Sequence, residues 1–365
     1  MLHLLIASLA VFMASPPEVA EISPPKEIIA ERISGLLEER PDLKGVSVTV
    51  RQEDRTMAIS KGQAAPDGTQ LTAETPIRIA SVAKTFTAAT VLRLYEQGMV
   101  DLDTPIRELI DDRYDTLLSG DGYDTSIITV RHLLMHVSGM PDAADRAYID
   151  LVLADTSQQW TRDEQLQLLV DNHDPIGPPN TEFRYSDTGY VLLGHIIERL
   201  TGDALGIAVR RELKFDEIGL TSTWWEQTEM PPATALPRGH QYLGEQDTHD
   251  WNGSMDLYGG GGLISTTTDL SRFMQVLFNG EIYDDPETLE LMTTAPGHPF
   301  PDNYRIGLFP RDINGVQAYS HGGFWGVEIM ASPAIDFYAA GVSMEQSGYR
   351  AMVAILRDAL GAMAE

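Results

Sequence analysis

Residues 78–98 read RIASVAKTFTAATVLRLYEQG. From Ser81 to Gln97 no proline or glycine interrupts the run, and Gly98 stands where a left-handed cap closes a helix, so the stretch predicts one long helix beginning at Ser81. Ser81 and Lys84 then lie three residues apart on one helical face, where an amine can reach a hydroxyl. The same S-x-x-K spacing recurs at Ser23-Pro-Pro-Lys26. There Pro24 and Pro25 are expected to forbid a helical turn, so the two matches differ in physical context.

Working outward, apolar Ile28, Ile29, Ile33, Leu36 and Leu37 recur at helical spacing over Glu27 to Glu39, and Pro41 ends the run. Gly45 to Gln52 (GVSVTVRQ) and Met57 to Gly62 then read as a β-hairpin. Downstream of the central helix, Val130 to His136, Arg162 to Val170 and Tyr190 to Thr201 read as helices, with almost no strand signal between Thr85 and Leu200. Strand texture returns at Tyr304 to Phe309, Gln317 to Ser320, Val327 to Ala331 and Phe337 to Ser343, and Tyr349 to Leu360 closes the chain as a helix. The expected fold class is α/β (α+β): an antiparallel sheet flanked by helices from both chain ends, with a mostly helical inserted domain. Residues 26–84 and 203–365 would form the discontinuous α/β domain and 85–202 the insertion, with a site in the cleft between them.

A serine hydroxyl is a weak nucleophile until a base takes its proton, and a lysine can serve when its surroundings favour the neutral amine. A helix start at Ser81 also aims backbone N–H groups at a developing oxyanion. An ordinary helix start remains the competing reading for Ser81 and Lys84 alone. Further candidates are Tyr185-Ser-Asp187, a phenol at a loop-to-helix junction, and His321-Gly322-Gly323, whose glycines allow close backbone approach along a strand. G-x-S-x-G, Walker and H-E-x-x-H motifs are absent, and the run Gly259 to Gly262 lacks dinucleotide-binding spacing. His132 and His136 would share a helical face, but a structural role is the expectation, since zinc needs three or four converging ligands.

Composition narrows the classes. The chain has 365 residues, 43% of them hydrophobic, and a formal net charge of −28. Such a field disfavours nucleic acid and anionic lipid as partners, because neither would release counterions to it. With no cysteine, disulfides and thiolate chemistry are excluded. Leu2 to Ala14 is an apolar run of signal-peptide length, too short to span a bilayer, so residues 1–25 are expected to be a signal peptide and extended lead-in. The expected location is periplasmic or secreted, with cytoplasmic as the alternative because the run is preceded by no Lys or Arg.

Taken together, these stretches resemble the serine β-lactamase and penicillin-binding superfamily, in its class C β-lactamase-like branch. That branch includes D-alanyl-D-alanine carboxypeptidases, D-aminopeptidases and β-lactamase-like esterases. The resemblance covers residues 26–360 and is carried by Arg78 to Gly98, DLDTPI (101–106), ITVRHLLMHVSGM (128–140), FRYSDTGYVLLGHIIERLTG (183–202), GGLISTTTDLSRF (261–273) and SHGG (320–323). It implies that Ser81 is the nucleophile, Lys84 its partner and Tyr185 the phenol that exchanges protons with hydroxyl and leaving group. It also implies an oxyanion hole from the backbone N–H groups of Ser81 and Phe324, substrate contacts from Asp187, His321, Gly322 and Gly323, and no metal or other cofactor.

Two positions depart from the family pattern. Asp187 replaces the asparagine of Y-x-N, and if ionised beside Lys84 it favours the ammonium and shifts the base role towards Tyr185. His321 replaces the lysine of K-[ST]-G, exchanging a fixed cation for a group expected to titrate near neutrality. The function expected is therefore a serine hydrolase acting through a Ser81 acyl-enzyme on esters or D-amino-acid-containing peptides, with a small-molecule or short-peptide substrate. A class C-like β-lactamase, a non-catalytic penicillin-binding or sensor protein, and a Ser-His-Asp hydrolase built on His321 stand as alternatives.

Overall fold

The computed structural model describes residues 23–364, and the expected signal peptide lies almost wholly outside them. Six antiparallel strands form the main sheet, in the order Arg55–Gly62, Gly45–Gln52, Phe337–Ser343, Val327–Ser332, Val316–Gly323, Phe309–Ile313. Its strands come from both ends of the described chain, as the texture of the sequence predicts.

The alternation in GVSVTVRQ sorts the two faces. Val46, Val48 and Val50 pack with Ile29, Ile33, Met352, Leu356 and Leu360 beneath the terminal helices Ser23–Glu39 and Tyr349–Ala364. Ser47 and Thr49 turn the other way and are fully buried, not solvated. Their hydroxyls meet Thr267 Oγ1 at 3.3 and 2.8 Å, at the start of the helix Thr267–Phe278 that covers the second face. Polar residues in this strand therefore mark a helix-sheet seam rather than water.

The helix Ala83–Glu96 lies in the largest core and is buried at every position from Ala83 to Leu92. Phe86 stacks on Phe273 with ring centroids 3.8 Å apart. Truncating such a fully buried ring to alanine costs about 3–5 kcal/mol, so this helix is a rigid base for whatever its first turn carries.

Several expectations change. Pro24 and Pro25 do not prevent a helical turn: the first helix begins at Ser23 and runs through them, because proline is tolerated in a helix's first turn where its missing N–H has no partner to lose. The helix expected over Val130 to His136 stops at Leu134, and His136 adopts a φ of 58°. His132 and His136 therefore share no helical face. Tyr304 to Phe309 is not a strand. Gly307, at φ 71°, accepts a hydrogen bond from Thr85 Oγ1 (2.8 Å), and a Cβ there would stand 2.6 Å from that of Ala88. This segment crosses the central helix, and sheet pairing begins only at Phe309.

Candidate active site

Ser81 sits in the 3-10 turn Ala80–Val82 that leads into the central helix. Ala80, buried beneath it, is held at a φ of 46°, a conformation that costs a non-glycine residue of order 1–3 kcal/mol and fixes where Ser81 points. Lys84, in the first turn of the helix, is completely buried. Its ammonium donates to Ser81 Oγ at 3.0 Å and to Gly260 O at 2.7 Å, and forms an ion pair with the Asp187 carboxylate. An ammonium has three donors, and all three are engaged. Burial by itself would push this amine down, but Asp187 and Tyr185 more than reverse that and hold Lys84 charged.

Asp187 is the first residue of the helix Asp187–Thr201, where the dipole favours a carboxylate. Ser186 caps this helix by accepting from Gly189 N–H, and donates to Pro141 O at 2.7 Å. Just before it, Tyr185 places its ring 5.1 Å from Lys84 Nζ, with its hydroxyl in hydrogen-bonding reach of Ser81 and Lys84. Burial pushes the phenol up, and Lys84 offsets only part of this. The Tyr185 ring is held between His136, centroid 4.3 Å away, and Phe309, stacked at 6.2 Å. His136 Nδ1 accepts the Ser186 N–H at 3.1 Å, so the bend after Leu134 is used to position the Tyr185 segment. His132 is parted from it and faces Asn180 Nδ2 at 2.9 Å.

The opposite wall is the strand Val316–Gly323. Gly323 lies so close to the Ser81 turn that a Cβ there would stand 2.1 Å from Ile79 O, and one on Gly322 would stand 2.1 Å from Tyr349 Oη. The glycines thus allow the close approach that their pairing in the sequence predicts. The hairpin turn that follows is closed by Gly326 N–H to Gly323 O at 3.1 Å, which leaves the Phe324 N–H outside the turn's own bond. His321 is buried within the strand. Its Nδ1 lies 2.9 Å from Gly322 O, and since a carbonyl only accepts, the proton is on Nδ1. Nε2 therefore accepts the Tyr304 hydroxyl, also at 2.9 Å. Burial, reinforced by Lys84, lowers this imidazole to about 3, so His321 does not titrate near neutrality as its substitution for lysine predicts.

Beside Ser81 opens a cavity of ≈ 110 Å³, with Asp187 and Asp256 on one side and Trp251, Phe324 and Trp325 on the other. Asp256 is pushed up to about 7, by burial first and then by Asp187. Asp142, which accepts the Asp187 N–H at 3.1 Å, is raised to about 7 for the same reasons. Among the described residues no cluster of three or more His, Asp or Glu side chains is arranged to hold a metal ion.

The residues picked out by motif therefore meet around Lys84, which contacts Ser81 and Asp187 and has the Tyr185 ring beside it, and Gly323 brings the strand end against the Ser81 turn. As site residues, sequence reading passed over Gly260, Asp142, Asp256, Tyr304 and Trp325, and it took His136 for a structural residue. Only Gly260 carried a signal, as part of a glycine run set aside for having the wrong phosphate-loop spacing.

Comparison with known proteins identifies the family and the fold. Unguisins hydrolase ungD of Aspergillus violaceofuscus is 26% identical over 345 residues, which is 84% of this chain but 59% of that protein, so the chain spans well under two thirds of that relative's length. Esterase EstB of Burkholderia gladioli is 26% identical over 332 residues, covering 84% of this chain and 79% of the esterase. Among solved structures, the D-amino acid amidase of Ochrobactrum anthropi SV3 superposes with a TM-score of 0.77 at 23% identity, over 94% of this chain and 99% of that one, a likeness of fold. The family model described as Beta-lactamase matches residues 33–361, nearly the whole chain, and the protein belongs to that family.

Proposed function

We propose that the protein is a serine hydrolase that forms an acyl-enzyme on Ser81 and releases it to water, acting on esters or D-amino-acid-containing peptides. The observation that carries this reading is the 3.0 Å bond between Lys84 Nζ and Ser81 Oγ inside a buried site that also holds the Tyr185 phenol. Because Asp187 keeps Lys84 an ammonium, lysine is not free to accept the serine proton. Tyr185 instead acts as a relay. As Ser81 Oγ attacks the carbonyl carbon, its proton passes to the Tyr185 oxygen while the phenol's own proton goes to the leaving group. Lys84 stabilises the negative charge that gathers on the phenol oxygen in between. The Ser81 and Phe324 backbone N–H groups receive the carbonyl oxygen as it becomes an oxyanion. In the second half the same groups run in reverse, with water in place of the leaving group.

Hydrolysis of esters, or of D-amino-acid amide bonds with no carboxylate beside them, ranks above β-lactam hydrolysis because of charge. β-Lactam antibiotics carry a carboxylate next to the scissile amide. This site meets it with a neutral imidazole at His321 and with the carboxylates of Asp187 and Asp256. A panel of short-chain p-nitrophenyl esters, D-alanyl peptides and cephalosporins, with mass-spectrometric detection of an acylated Ser81 peptide, tests the proposal. Turnover of esters or D-peptides with a Ser81 adduct is expected. Fast cephalosporin turnover with the other substrates untouched overturns the substrate ranking. A protein never acylated by any of them is a binder and not an enzyme.

A further inference from the structure

The cavity beside Ser81 is charged with one sign only. No lysine, arginine or histidine is among the described residues lining it, while Asp187 and Asp256 both do. The nearby Lys84 ammonium is spent on Ser81, Gly260 and Asp187. Much of the remaining lining is apolar and aromatic: Trp251 and Trp325 meet edge to face with centroids 6.0 Å apart, and Leu243, Met255 and Phe324 also line the cavity. Independently of the acids, Trp325 is 4% exposed and its Nε1–H has no hydrogen-bond partner, though its ring lines the cavity. Buried donors are seldom left unmatched, and this one is open to an acceptor.

We propose that this cavity is an aminoacyl subsite, in which Asp256, with Asp187, receives the free α-ammonium of the acyl group and the Trp251–Trp325 wall holds its apolar side chain. The inference rests on the acyl-Ser81 reading above and narrows it: the substrate is an unblocked amino acid in amide or ester linkage, not a peptide recognised through its terminal carboxylate. Asp256 is a specificity residue and touches no reacting atom. Its carboxylate gains a charge-assisted hydrogen bond with a free amine and faces a neutral, bulkier amide when that amine is blocked.

The test compares phenylalanine p-nitroanilide of each hand with its N-acetyl form, alongside p-nitrophenyl butyrate. For the accepted hand, kcat/KM of the free amine is expected to exceed that of the N-acetyl compound by about tenfold or more, the scale of one charge-assisted hydrogen bond. In Asp256→Asn that ratio falls towards one, and in Asp256→Glu, which restores the charge, it recovers in part. The wild-type ratio needs no variant to fold. Equal or faster hydrolysis of the N-acetyl compound, or a ratio unchanged in Asp256→Asn, overturns the subsite. If the butyrate ester acylates Ser81 while the ratio is one, the subsite alone fails. If neither the ester nor the anilides acylate Ser81, the hydrolase reading fails and the subsite with it.

Discussion

Lys84 and His321 are both basic side chains buried in the same site, yet one is charged and the other is not. Burial opposes protonation of each. The difference lies in the partners. Lys84 faces a carboxylate, and its other two donors meet a hydroxyl and a carbonyl, so every contact rewards the ammonium. His321 has a carbonyl on Nδ1 and a tyrosine hydroxyl on Nε2, neither of them charged, so nothing outweighs burial and the Lys84 charge and the ring stays neutral. The helix-borne wall of the site is therefore ionic and the strand-borne wall neutral. Where depth is the same, the charges of the neighbours decide which buried base stays protonated.

The largest effect should come from breaking the ionic wall. Lys84→Ala removes the Ser81 contact and strands Asp187 without its partner. A loss of about a thousandfold or more in kcat/KM on p-nitrophenyl esters is expected, the scale seen when one member of a catalytic unit is deleted. Steady-state kinetics with Ser81→Ala as the baseline measures it. Substantial activity left in Lys84→Ala would transfer the base role across the cleft and revive a mechanism built on His321.

Asp187→Asn is gentler, because it keeps the shape of the helix start while removing the charge. Lys84 then loses the strongest of the influences that raise it, and burial is left to push it down towards the neutral amine. A cephalosporin, which carries a carboxylate, should gain relative to a neutral ester by about tenfold, worth ~1.4 kcal/mol. An unchanged ratio of nitrocefin to p-nitrophenyl butyrate turnover would place Asp187 outside substrate recognition.

How far the sequence foretold this contrast depends on what each contact needs. The main sheet and the central helix were legible from periodicity, and Ser81 beside Lys84 from local spacing, whereas their meeting with Tyr185 and Asp187 was legible only through the family resemblance. Asp187 beside Lys84 was legible too, as a departure from a family pattern. The neutral state of His321 was not, because it follows from burial and from the nearby Lys84 charge, which only the packed site reveals, and its partner Tyr304 lies in a segment read as a strand. That segment is diverted by Gly307 lying against the central helix, a tertiary contact with no local trace. Asp256 and Trp325 escaped for a similar reason: the turn Gly253–Asp256 is held where Tyr148 Oη donates to Met255 O at 2.6 Å, and Trp325, in the hairpin turn after Gly323, packs with Val152, Trp160 and Trp251, all distant in sequence. Ser47 and Thr49 show the converse, alternation read correctly as a strand while the polar face turned to a helix rather than to water.

The neutral wall can be unlocked without touching the ionic one. Tyr304→Phe removes the hydrogen bond to His321 Nε2 and leaves that nitrogen free to take a proton. In the wild type, His321 at about 3 contributes no titration between pH 5 and 8, so any change of rate there belongs to the acids near 7, Asp142 and Asp256. The variant should lose only a few-fold in kcat/KM, since no reacting atom is touched. Its profile should acquire a new limb below neutrality that disappears in Tyr304→Phe combined with His321→Gln. A profile superimposable on the wild type would mean that burial alone keeps His321 neutral.

The smallest effect is on stability, and its sign differs between the two walls. Asp256 is raised to about 7 from an ordinary carboxyl value, so between roughly pH 4 and 7 the folded state holds a proton that the unfolded state has released. Its contribution therefore declines as pH rises through that window. His321 is lowered to about 3, so the unfolded chain binds the extra proton below about 6.5 and stability declines as pH falls. Asp256→Asn should thus raise the melting temperature at pH 8 by about 2–4 °C, the shift expected for roughly 1 kcal/mol in a domain of a couple of hundred residues, and leave it nearly unchanged at pH 4. Differential scanning calorimetry at the two pH values decides it. A gain of equal size at both would assign the effect to packing rather than to a carboxylate kept charged at a cost, and would remove the energetic reason for regarding that carboxylate as reserved for a cationic substrate.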